Sequence, residues 1–128
     1  VLSEKELHSR FEIYNETYDK TIEIEAGVTL TMAKTMFIPA AVRAQAELAG
    51  SIKAVAGSAM TGAAASLEAI SSETETLYKA VSALEKAHGA DKLIDAMGKV
   101  RTSVDALEKM VPKDIWPVPV YAEMLFMM

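Results

Sequence analysis

Two histidines, His8 and His88, and a row of carboxylates are the residues of this chain best suited to acid–base or metal chemistry, and neither set builds a centre. Glu12, Glu16, Asp19 and Glu23 follow one another at spacings of four, three and four, which puts them on one side of a helix. Hard divalent cations want carboxylate oxygens all round them, and a convex helix surface offers them from one side only. Lys20, four residues after Glu16, gives that side an ordinary helical ion pair. The row therefore reads as a face turned to water or to a basic partner. Glu85-Lys86-Ala87-His88 has the Glu-x-x-His spacing of di-metal carboxylate bundles. Those bundles need two such motifs and two further inward glutamates, whereas this one stands alone in the last turn of a helix, where the helix dipole favours a cationic imidazole. With no cysteine and only two histidines, no Ser-His-Asp or Cys-His set takes shape. No glycine-rich phosphate loop follows a strand. The expectation is a segment with no catalytic, cofactor-binding or metal-ligating residue and no cofactor of its own.

Composition narrows the class further. A chain of 128 residues is long enough for one domain with a real core. The absence of cysteine excludes disulfides and thiolate metal sites and fits a cytoplasmic protein. A formal net charge of -5 argues against nucleic acid, whose phosphates call for a basic face. Alanine makes up about a third of the hydrophobic fraction of 51%, and Arg43, Glu47 and Lys53 interrupt the Ala-rich stretch, so a membrane span is not expected. Val1 in first place, running straight into helix-forming sequence, reads as a cut inside a larger protein.

The elements that carry these residues are helical throughout. Ser3 followed by Glu6 is a capping box. Beyond it Leu7, Phe11, Tyr14, Tyr18 and Ile22 form an apolar stripe that continues through Glu25, Thr29, Met32 and Met36. Glu25 is out of place there, because a buried carboxylate needs a partner. Pro39 disfavours helical geometry just before it and predicts a kink in one long helix over 1–56, with Leu48, Ile52 and Val55 inward. Two glycines among small residues predict a loop at 57–62. Leu67, Ile70, Thr74, Leu77, Val81, Leu84 and His88 alternate by three and four, a heptad seam on a helix over 63–88 that Gly89 stops. Leu93, Met97, Val100, Val104, Leu107 and Val111 do the same for a helix over 91–111, and Pro112 ends it. Short connections make these two an antiparallel hairpin. The fold class is thus all-α: an antiparallel helical bundle with one long, Pro-kinked first helix and an extended Pro-rich C-terminal tail over 112–128.

Lengths and faces point outward. At 1.5 Å per residue the segment from Glu4 to Ile38 runs roughly 50 Å, against about 30–40 Å for the two later helices. The first helix must overhang the bundle or be covered from outside. Ile13 and Ile24 lie well off the Phe11–Tyr18 stripe, so this helix is apolar on more than one side and wants more than one neighbour. Pro117 and Pro119 predict an extended, polyproline-like path. A tail holding Trp116, Tyr121, Leu125 and Phe126, lengthened by Met124, Met127 and Met128, must dock on something. Ile13, Ile24, Trp116, Tyr121, Leu125 and Phe126 are accordingly the expected interface residues, while Met32 and Met36 fill the core.

Two segments together resemble one family. The first is VLSEKELHSRFEIYNETYDKTIEIEA, Val1 to Ala26, with Pro39-Ala40 a little further on; the second is Trp116-Pro-Val-Pro-Val-Tyr-Ala-Glu-Met-Leu-Phe126. Both resemble the C-terminal region of type III glutamine synthetases, in which a catalytic core is followed by a helical region opening on a Leu-Ser-Glu-x-Glu-Leu helix and closing on a Trp-Pro-x-Pro-x-Tyr tail. Residues 41–111 follow only the helical pattern, and the Gly57–Ser66 stretch is peculiar to this chain. The resemblance implies a cytoplasmic parent that joins ammonia to glutamate through a γ-glutamyl phosphate, using ATP and divalent metal (Mg or Mn). It also implies partners: the catalytic core of the same parent chain, and neighbouring subunits of a homo-oligomer built as stacked hexameric rings. The metal- and phosphate-holding residues of such a parent would lie upstream, and none carries over to this sequence.

The leading expectation is a structural and assembly domain of that ligase. Its rivals are a free-standing acidic helical interaction module and a metal-binding bundle with its own redox chemistry.

Overall fold

Ser3 opens the first helix as the capping box requires: its hydroxyl accepts the backbone N–H of Glu6 at 3.2 Å, and Glu4 and Glu6 place negative charge at the positive end of the helix dipole. The computed structural model describes residues 3–55 and 61–118. Within them the chain forms α1 (Glu4–Met32), a π turn (Ala33–Phe37), α2 (Ile38–Ala54), α3 (Thr61–Lys86) and α4 (Ala90–Glu108). There is no strand among the described residues, and the class is all-α, as the periodicity implied.

The π turn accommodates Pro39. In a regular helix the pyrrolidine ring would collide with the carbonyl four residues back, that of Thr35, and one hydrogen bond would be missing. Here the chain takes one residue more per turn just ahead of the proline. The N–H of Ile38 reaches back five residues to the carbonyl of Ala33 instead of four. Pro39 then falls in the first turn of α2, where a missing donor costs least. The helical path runs unbroken from Glu4 to Ala54, roughly 75 Å of it at 1.5 Å per residue.

α3 runs back along this path, and Ala87–Gly89 turn the chain into α4. Gly89 has φ of +91°, a left-handed conformation that a side chain would strain. Ile70, Thr74, Leu77, Val81 and Leu84 of α3 interlock with Leu93, Val100 and Leu107 of α4, all buried. Thr74 tolerates its apolar site because its hydroxyl donates to the Ile70 carbonyl of its own helix at 2.6 Å. The first helical path adds mostly alanines, Ala26, Ala33, Ala40, Ala41 and Ala44, with Ile22, Phe37 and Ile38. Small side chains let the backbones approach closely. Two polar links brace the seams. Lys34 meets Glu85 at 2.8 Å, and the Gln45 amide donates to the Ser71 hydroxyl at 2.9 Å.

Several sequence expectations change. The buried face of α1 is Ile22, Ala26 and Ala33, not Glu25, Met32 and Met36. Glu25 is exposed and the two methionines are only half-buried, because the bundle packs on alanines rather than on the line extrapolated from the large apolar residues. Val55 is exposed. α3 begins at Thr61, so Thr61 and Gly62 are helical rather than loop; residues 56–60 lie outside the described residues. α3 ends at Lys86, which leaves His88 exposed beyond the helix instead of inward. The segment after α4 is not extended at its start. The amides of Ile115 and Trp116 both donate to the Pro112 carbonyl, at 3.0 and 3.2 Å, and curl the chain into a turn.

Candidate interaction surface

The charged residues singled out for chemistry stay apart. Glu12, Glu16, Asp19 and Glu23 are exposed along α1, with Glu12 paired to His8 at 3.0 Å on the same helix. Glu23, Glu85 and His88 line one small cleft between α1 and the α3–α4 turn, but Glu85 is engaged by Lys34. Among the described residues no group of three or more His, Asp or Glu gathers as an ion would need. No helix among them is long and apolar enough to cross a membrane.

What the structure does present is unpaired apolar surface. Every residue from Ser3 to Thr21 is exposed, so roughly 27 Å of α1 stands clear of the bundle. Leu7, Phe11, Ile13, Tyr14 and Tyr18 are all exposed on it, and Ile24 and Val28 follow where the bundle begins. At 100° per residue, the Leu7–Tyr18 arc is turned roughly 60° away from the Ile22–Ala26–Ala33 face that this bundle uses. The direction in line with the buried face instead carries His8, Asn15 and Asp19. The apolar arc is thus aimed at something other than α3 and α4.

Of the expected interface residues, Ile13 and Ile24 are 60% and 68% exposed. Trp116 is a correction: it is only 6% exposed and covered by its own chain. Its ring lies 5.2 Å from that of Phe37, tilted by 38°, because the turn at Pro112 folds the tail back onto the π turn. Ile115 and Val111 are buried beside it. Tyr121, Leu125 and Phe126 lie outside the described residues.

A second surface is a groove of about 630 Å³ between α1 and α4. Met32, Phe37, Ile94, Met97 and Val104 make it mainly apolar, with Glu25 and Arg101 among its polar members. No periodicity argument could have found it, since it depends on how two helices diverge.

Comparison with known proteins agrees with this picture of a domain that is part of something larger. Residues 1–56, which hold the whole overhang and the π turn, match the family model described as the glutamine synthetase C-terminal domain. A curated relative, the type-3 glutamine synthetase of Dictyostelium discoideum, is 27% identical over 150 aligned residues, which take in 99% of this chain. The chain spans about a fifth of that relative's length, 20%. No solved structure matches it. The family model thus matches 56 of the 128 residues, and the type-3 relative is similar to this all-helical chain along nearly its full extent.

Proposed function

We propose that this domain is the structural and assembly element of a type III glutamine synthetase. The parent would be a cytoplasmic ligase that joins ammonia to glutamate at the expense of ATP with a divalent metal, and the present segment would contribute no catalytic residue. The observation that carries this reading is the overhang. Leu7, Phe11, Tyr14 and Tyr18 leave one apolar arc uncovered, and Ile13 and Ile24 a second face, and soluble proteins seldom leave such surface open unless a partner covers it. The residues that match the family model include this arc. The natural counter-surface is the catalytic core of the same chain or of a neighbouring subunit in a homo-oligomer. The arc sets where the domain sits, and the bundle behind it holds α1 straight.

The test replaces Phe11→Glu on that arc and Ile13→Glu on the second face in the complete parent enzyme and measures assembly size by light scattering alongside ligase activity. Both are exposed, so the domain itself should fold as before. A smaller assembly with reduced activity is expected, while Tyr78→Lys, also exposed on α3, should leave both unchanged. An assembly that keeps its full size with both substitutions would refute the reading in favour of a free-standing acidic interaction module.

A further inference from the structure

Glu25 stands on the first helix in line with the apolar arc of the overhang. At 100° per residue, Glu25, Thr29 and Met32 fall within about 40° of the Leu7–Tyr18 direction. The same three residues form the α1 wall of the α1–α4 groove, which Ile94, Met97 and Val104 close from the other side. Overhang and groove are therefore one track along the first helical path. It starts as a bare ridge at Leu7 and ends as a trough at Phe37, with Ile22 midway.

A ridge and a trough on one line, on either side of a midpoint, suit a surface to a copy of itself. Turned end for end about a two-fold axis near that midpoint, each ridge comes over the other copy's trough. The lengths agree. Leu7 to Tyr18 runs about 17 Å along α1, and Ile94 to Val104 about 15 Å along α4. The polar atoms agree as well. Tyr14 and Tyr18 of one copy come opposite Met32, Thr29 and Glu25 of the other. The Glu25 carboxylate is exposed and in no ion pair among the described residues, and a phenolic O–H is a donor that an apolar contact can carry to it. A carboxylate on an apolar stripe thereby gains its partner.

We infer that the α1 overhang of one copy of this domain lies antiparallel in the α1–α4 groove of a second copy, whose overhang fills the first groove in return. Area favours the reciprocal arrangement. A helix face roughly 27 Å long and about 10 Å wide, seated once, covers only about 500 Å² counted on both copies; seated twice it covers about 1,100 Å², just past the roughly 1,000 Å² of a specific interface. A contact of that size is weak between free domains, and the high local concentration inside an assembly holds it closed. The inference rests on the assembly reading above and deepens it. The arc goes to the same domain of a neighbouring subunit, and the Ile13–Ile24 face is left to the catalytic core.

The test is disulfide trapping in the complete enzyme. Tyr14→Cys is combined with Met32→Cys, and separately Tyr18→Cys with Thr29→Cys, under mild oxidation. Within one copy these pairs stand roughly 27 and 16 Å apart along a single helix and cannot bond. Across the antiparallel pair they meet. Each double variant should give a linked species of twice the chain mass on a denaturing gel, at least about tenfold above either single variant or Tyr14→Cys with Tyr78→Cys. Adding Ile94→Glu in the groove should remove it. No linked species from either double variant, in an enzyme whose assembly still shrinks with Phe11→Glu, would overturn the inference and leave the assembly reading standing. Linking by Tyr14→Cys alone would mean parallel helices and would overturn it too.

Discussion

At the scale of single residues, a polar side chain on a core seam and an aromatic near a chain end are the two cases where type and surroundings disagree. Thr74 sits on the α3 seam between Ile70 and Leu77, and its hydroxyl is satisfied by its own helix. Removing the hydroxyl without changing shape leaves no orphaned partner, since the Ile70 carbonyl keeps its helical hydrogen bond. Thr74→Val should therefore shift unfolding free energy by less than about 1 kcal/mol, while Leu77→Ala, which opens a cavity at a fully buried site, should cost about 2–5 kcal/mol. Urea unfolding of the two variants checks the contrast; equal losses would mean that the hydroxyl has a partner across the seam. Trp116 teaches the opposite lesson. Its position four residues past a helix-ending proline marked it as docked, but on what could not be read. The answer, Phe37, lies far away in sequence, and only the turn at Pro112 brings the two together.

At the scale of elements, the α3–α4 hairpin follows from its heptad pattern in outline, with Ile70, Leu77, Val81 and Leu84 against Leu93, Val100 and Leu107, but on α4 Ala96 and Ser103 take the buried places expected of Met97 and Val104, which are only half-buried. The first helical path is different. Its large apolar residues were not made for this bundle, and the alanines that were carry little signal in a hydrophobic pattern. The extrapolated stripe therefore drifted off the true face after Ile22. The π turn was legible only as a disturbance at Pro39. A proline mid-helix demands relief, but whether the helix breaks, bends or widens depends on what α3 and α4 can pack against. Because widening has already removed the ring clash, Pro39→Ala should recover little more than one backbone hydrogen bond, about 1 kcal/mol, rather than the roughly 3 kcal/mol of a strained interior proline. Thermal unfolding followed at the helical band measures it. A gain near the larger figure would show that the ring is still strained in place.

At the scale of the whole molecule, the bundle and the overhang should differ in local stability. Residues 4–21 are all exposed, and a helical segment with so little packing has little to hold it in water. In the isolated domain their amides should exchange at least about a hundredfold faster than those of Leu77–Leu84, and, if the proposed assembly role holds, should gain protection within the complete enzyme. Exchange followed by mass spectrometry checks both, and uniform protection along α1 in the isolated chain would mean that the overhang has found cover of its own. The amino-acid sequence by itself determined the all-helical class, the capped start at Ser3, the α3–α4 seam and the surplus of apolar faces on the first helix. These are properties of local spacing, and a helix declares its faces wherever it is placed. Only the tertiary structure decided which of those faces the bundle keeps and which it leaves outside, and that the tail begins by folding home onto Phe37. Those choices depend on how closely alanine-lined helices can approach and on where a single proline turns the chain, and neither is written in the periodicity of any one segment.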